Sequence, residues 1–176
     1  MKIVHIIFML LFFLSLYSCS ENNITESTLE EGVNFYLLKD SSITASQIIN
    51  SNIDNLKLAE RPFLTYKDLG YYNWVEHSFV INSNKAKTIQ NICENNTTVF
   101  GIPFVVTVDQ ERIYLGAFWF LFSSVAPAFP YIYALIDMEK TPHILIINKS
   151  WDSAKPDLRN DPRIYNTLKK YGLLLD

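Results

Sequence analysis

Residues Ile113 to Ile136 read IYLGAFWFLFSSVAPAFPYIYALI, 24 in a row without a charge. A helix that spans a bilayer needs about 20 such residues, so this stretch decides whether the chain crosses a membrane here or packs a core. Its middle argues for the core. Gly116, Ser123, Ser124, Pro127 and Pro130 fall inside it, and two prolines three residues apart would open a helical ladder where lipid offers no replacement partners. The stretch also divides by alternation. Ile113, Leu115, Ala117 and Trp119 fall on one strand face, with Tyr114, Gly116, Phe118 and Phe120 on the other. Strands apolar on both faces belong to a sheet covered on both sides. The reading is therefore two buried strands joined by the loop SSVAPAFP.

The flanking sequence extends this sheet. PFVVTVD and RIYLGAFWF form a hairpin across Gln110-Glu111, and YIYALIDM with HILIIN forms a second across Glu139–Pro142. VNFYLLKD (33–40) and HSFVIN (77–82) supply further strands, and Leu56 and Leu58 sit in a short extended piece. Thr44 with Gln47, and Thr65 with Asp68, have capping-box spacing; the second predicts one or two helical turns from Tyr66 to about Tyr72. Lys85–Asn95 places Ala86, Ile89, Ile92 and Cys93 on one face of an amphipathic helix. Asp161-Pro162 starts a last helix and Gly172 stops it. The expected fold is α+β: a mostly antiparallel sheet of five or six strands, two or three covering helices, one domain over 33–176.

The N-terminus reads as an export signal. MKIVHIIFMLLFFLSLYSC has a single basic residue, an apolar core and small Ser18 before Cys19. Leu16-Tyr17-Ser18-Cys19 resembles a bacterial lipobox, which makes 1–18 a lipoprotein signal peptide and Cys19 the acylated first residue of the mature chain. Residues 19–32, polar and acidic, then read as a tether that carries the domain away from the membrane. The expected location is the bacterial cell envelope.

Removing residues 1–18 removes Lys2 and no acid, leaving 14 basic against 18 acidic side chains, net −4. There is no basic run, so nucleic acid is not an expected partner. Of two cysteines, Cys19 is assigned to lipid, so Cys93 has no disulfide partner and reads as a small buried hydrophobe.

The candidate catalytic residues are His77, Ser123 and Arg112. His77 follows Trp74 and Glu76 in NWVEHSF, where an imidazole beside a carboxylate suggests a general base. Neighbours on a strand point to opposite faces, however. Ser123 lies where a strand leaves the sheet, without the Gly-x-Ser-x-Gly elbow of a nucleophilic serine. Arg112 shares a strand face with Tyr114 in the alternating pattern and suits a carboxylate or phosphate; pairing with Glu111 or Asp109 is its structural role. Trp74, Tyr114, Trp119, Ser124, Arg159 and Arg163 are candidate binding residues. In DLRNDPR, Arg159 and Arg163 stand beside a helix start that favours anions, or pair with neighbouring acids. No metal set and no cofactor are expected.

FLTYKDLGYYNWVEHSF, GIPFVVTVDQERIYLGAFWFLFSS and LRNDPRIYNTLKKYG together resemble a group of uncharacterised bacterial exported proteins, often lipoproteins. The group often has an acidic residue before the Trp, where this chain has Asn73, which argues against metal binding there. The resemblance implies a lipid-anchored single domain and no particular activity. A binding or interaction module follows, with an unknown protein or small-molecule partner. The alternative is an envelope hydrolase with a His77/Arg112/Ser123 pocket, and the loop beside Trp119 is the first place to look for a site.

Overall fold

The computed structural model describes residues 29–152 and 154–175. The expected signal peptide, Cys19 and the tether up to residue 28 lie outside the described residues. Among those described, no helix is long and apolar enough to cross a membrane.

Over the described residues the fold is α+β, with eight strands in two sheets and two α-helices. The larger sheet is built from β1 (Val33–Leu37), β2 (Leu64–Thr65), β5 (Ile102–Val108), β6 (Glu111–Trp119) and β7 (Tyr131–Tyr133), in the order β2-β1-β5-β6-β7. The smaller is β3 (Leu69–Asn73), β4 (Ser78–Ile81) and β8 (His143–Ile146), in the order β3-β4-β8. Helix α1 covers Ser83–Asn95 and α2 covers Pro162–Lys170.

Two sheets replace the one expected from sequence, and the larger is mixed. The β5–β6 hairpin is present, with Asp109-Gln110 as its turn. Asp109 takes the left-handed conformation (φ 51°) that glycine would supply in other hairpins. The second hairpin is reduced to a single antiparallel bridge, Tyr131 with Asn148, whose N–H groups donate to each other's carbonyls at 3.0 and 2.7 Å. β7 runs parallel to β6, while β8 joins β4 in the other sheet. The reason lies in SSVAPAFP: Pro127 and Pro130 cannot donate to a ladder, and the connection is long enough to carry the chain back to run alongside β6. Past Tyr133 only Ala134 stays on β6, its N–H donating to Trp119 O at 2.8 Å. The helical turns expected from Tyr66 shrink to a 3-10 turn at Tyr66–Asp68, after which Leu69–Asn73 pairs with β4. The Thr65/Asp68 capping box itself is formed, and Thr65 N–H and Thr65 Oγ1 both donate to Asp68 Oδ2 at 2.8 Å.

The main core lies between the sheets. Phe35, Phe104 and Phe118 of the larger sheet meet Phe63, Phe79 of the smaller sheet, Ile89 and Cys93 of α1, and Ile164 and Leu168 of α2. Phe104 sits centrally, with ring centroids 5.2–6.1 Å from Phe118, Phe35 and Phe63. Burial pushes the Cys93 thiol up to about 12, so it stays protonated and packs as a hydrophobe. The opposite face of the larger sheet is covered by loops and two short 3-10 turns, Ala45–Ile48 and Ile53–Asn55, rather than by α-helices: Leu38, Ile48, Val105 and Leu115 form one cluster, and Ala45, Ala117, Trp119 and Tyr131 another. Every residue of β5 is buried as a result.

The register slips between Val106 and Thr107, whose partners are Tyr114 and Arg112. This β-bulge turns Ile113 to the same side as Tyr114 and sends Arg112 to the other. Arg112 and Tyr114 therefore do not share a face, contrary to simple alternation. Nor does Arg112 pair with an acid: its Nη1 donates to the carbonyls of Ile53 and Leu56, at 2.5 and 2.7 Å.

Candidate functional site

The loop that returns the chain from β6 to β7 builds a cleft. Trp119, at the end of β6, is buried beneath it and donates from Nε1 to Val125 O at 3.2 Å. Ser123 Oγ donates to Val99 O at 2.5 Å, pinning the loop to the neighbouring segment, and accepts from Val125 N–H at 3.3 Å. Pro127 forms part of the floor and its carbonyl accepts from Trp151 N–H at 3.2 Å. Tyr131 and Tyr133 rise from β7 on the same side, with hydroxyls 3.5 Å apart and rings edge to face.

The result is an open cavity of about 240 Å³ walled by Trp119, Phe120, Leu121, Tyr131, Tyr133 and Trp151, with Ser123, Val125 and Pro127 completing it. No charged side chain lines it. Its rim is apolar and exposed: Trp151 and Leu121 are each 66% exposed, and Tyr133 38%. Phe122 stands beside it, packed at 5.2 Å on Phe120. Trp151 is exposed yet held at both ends, because its Nε1–H also donates to Tyr131 Oη at 3.2 Å. A large aromatic face fixed in place and left in water is the form of a binding anchor rather than of a core residue.

A second cluster surrounds His77. Asn73 Oδ1 accepts from the N–H groups of Val75 and Glu76, at 3.0 and 3.1 Å, closing a tight turn. At its end His77 adopts φ 50° and is buried, while Glu76 is exposed. The two side chains diverge. His77 Nδ1 lies 3.1 Å from Tyr72 Oη, and the Trp74 ring stands edge-on 5.4 Å from the imidazole. Burial first, then the Arg159 charge, hold the His77 pKa below its ordinary value, with Asp157 and Asn160 opposing. Tyr114, fully enclosed beside the same groups, has its phenol pushed well up by burial. Tyr72 is raised for the same reason.

Arg159 is bound bidentately by Asp157, through Nε at 2.8 Å and Nη2 at 2.6 Å, and its Nη1 donates to Ile147 O. Arg163, on α2, is held by Asp161 and by Glu111 at the start of β6. Asp161 caps α2 through Arg163 N–H. Both arginines are thus engaged by acids of this chain.

The candidates divide into three places. Trp74, His77, Tyr114 and Arg159 gather around the buried imidazole; Trp119, Ser123 and exposed Ser124 belong to the cleft loop; Arg112 and Arg163 serve separate contacts. His77, Ser123 and Arg112 have different partners, and no hydrogen bond joins any two of them. No group of acids, histidines and cysteines fit to hold a metal ion occurs among the described residues. Sequence reading missed Tyr131, Tyr133 and Trp151. The signal for Trp151 was available: a tryptophan between Ser150 and Asp152, outside every apolar run, has no core to enter. No protein-family model, no curated protein and no solved structure matches the chain.

Proposed function

We propose that the protein is a lipid-anchored module of the bacterial cell envelope, tethered through Cys19, which binds a partner at the aromatic cleft without chemical turnover. The observation that carries this reading is Trp151, two-thirds exposed and fixed by bonds from both its backbone and its indole. Fixing an exposed aromatic face lowers the entropy that binding must remove. The export signal and lipobox in the sequence support the location, and the acyl tether leaves the cleft free to meet other envelope components. Separate partners for His77, Ser123 and Arg112 favour binding over hydrolysis, since a nucleophile and its base must be within hydrogen-bond reach.

The test compares the full chain with a Trp151→Ala/Tyr133→Ala double variant. Both are expressed with their own leader, extracted in detergent and incubated, with the detergent still present, with washed, lipid-extracted cell-wall material, so that the acyl anchor carries neither of them down. Wild type sediments with the wall material and the double variant does not, at equal far-ultraviolet circular dichroism. Equal sedimentation of the two would overturn the reading.

A further inference from the structure

We propose that the cleft is a glycan site, which takes one neutral pyranose ring of an envelope polysaccharide stacked on the indole of Trp151; this rests on the cleft being the working surface. Four features of the wall select that ligand class. The first is charge: with no acidic or basic side chain lining the cavity, a charged ligand would lose its hydration without an ion partner. A neutral ring loses far less.

The second is size. About 240 Å³ is below the roughly 300–1,000 Å³ of pockets that enclose drug-sized ligands. One sugar ring fits that space, and the open mouth lets the chain continue on either side.

The third is shape. A pyranose presents C–H bonds on a flat face and hydroxyls around its edge. The exposed indole of Trp151 meets the face. Tyr131 Oη and Tyr133 Oη, 3.5 Å apart, meet the edge, where each phenol can donate and accept.

The fourth separates a sugar from a peptide added as a strand, which needs a free row of backbone N–H and C=O groups in the wall. Here Val125 O and Pro127 O accept from Trp119 Nε1 and Trp151 N–H, and Pro127 has no N–H to offer. The polar groups the wall presents are side-chain hydroxyls: Tyr133 Oη at the rim, and Tyr131 Oη beneath it, which accepts from Trp151 Nε1 and keeps its own proton to give. A proline-rich peptide, which aromatic grooves also take, is an outcome of the test.

The experiment is calorimetric titration of the full chain, in a detergent without a sugar headgroup, with chitohexaose, cellohexaose, polygalacturonate fragments and a proline-rich decapeptide. Saturable binding of one of the two neutral oligosaccharides is expected, weakened at least tenfold by Trp151→Ala and several-fold by Tyr133→Phe, which keeps the ring. Binding of the neutral sugars that Trp151→Ala leaves unchanged overturns the proposal. So does the absence of sugar binding, or Trp151-dependent binding of only the acidic fragments or the peptide. If sugars fail while Trp151-dependent sedimentation with envelope fractions persists, the glycan assignment falls and the binding module stands. If both fail, the cleft is not the working surface.

Discussion

The backbone N–H of Gly32 donates to the Asp109 carboxylate at 2.7 Å, and the N–H of Asp109 donates back to Gly32 O at 2.9 Å. This reciprocal pair ties the entrance of β1 to the β5–β6 turn across 77 residues of sequence. Both residues have positive φ, 84° and 51°. The Asn34 amide adds bonds to the carbonyls of Glu30, Glu31 and Gly32. Residues 30–32, read from sequence as the end of the tether, are thus held against the fold.

Gly32→Ala tests that clasp. A Cβ there would fall 2.1 Å from Tyr66 Cδ1, in a backbone conformation that costs an L-residue strain. The variant should lose about 1–3 kcal/mol in urea unfolding, whereas Asp109→Asn, which keeps an acceptor and tolerates φ above zero, should lose less. Equal losses would show that the clasp does not depend on the glycine.

Phe104→Ala should cost about 3–5 kcal/mol, because its ring fills the centre of the core and neighbouring β-strands cannot collapse into the space. Gly116→Ala attacks the same ring from the next strand. Its Cβ would lie 2.4 Å from Phe104 Cε2, and overpacking of this kind costs about 1–3 kcal/mol. Denaturant midpoints of the two variants check both values.

The buried imidazole sets a pH dependence. His77 binds its proton less tightly folded than unfolded, so the unfolded state gains protons as pH falls through the ordinary histidine value of about 6.5. Its contribution is full above that value and declines below it. The groups facing it are Tyr72, Trp74, Asp157, Arg159 and Asn160. Melting temperatures of wild type should fall from pH 7 to 5, and those of His77→Asn should be flat there. Below pH 4 both should fall, because Arg159 and Arg163 hold the Asp157 and Asp161 carboxyls below their ordinary range. A slope from pH 7 to 5 that survives His77→Asn would assign the effect to another group.

Arg112→Ala should destabilise by about 1.5–3 kcal/mol, since two half-buried carbonyls lose a charged donor. Sedimentation with envelope fractions should be unchanged. Loss of that binding in a variant that remains folded would give Arg112 a role beyond holding Ile53 and Leu56.

Cys19→Ala should abolish incorporation of labelled fatty acid and release the chain from the membrane fraction. Unchanged labelling would remove the lipobox from the proposal.

Much of the local structure was legible because it depends on near neighbours. The capping boxes at Thr44 and Thr65, the Asp161-Pro162 helix start, the apolar face of α1 and the β5–β6 hairpin each follow from residues within a few positions of one another. The charge-free stretch likewise resolved into strand, loop and strand by its own prolines. Arg112 was not legible, because a bulge shifts the alternation by one residue and periodicity alone does not mark where a bulge falls.

That Ile113–Ile136 does not cross a bilayer as one helix follows from adjacent residues, through its prolines and its alternation. Where the two ends of that stretch go depends on contacts distant in the chain. Pairing β7 parallel to β6 and giving β8 to the other sheet are choices between hydrogen-bond partners far apart in the chain, of similar local preference. That choice brings Trp151 over Tyr131 and leaves its indole in water, which makes a cleft from residues that no short-range pattern connects.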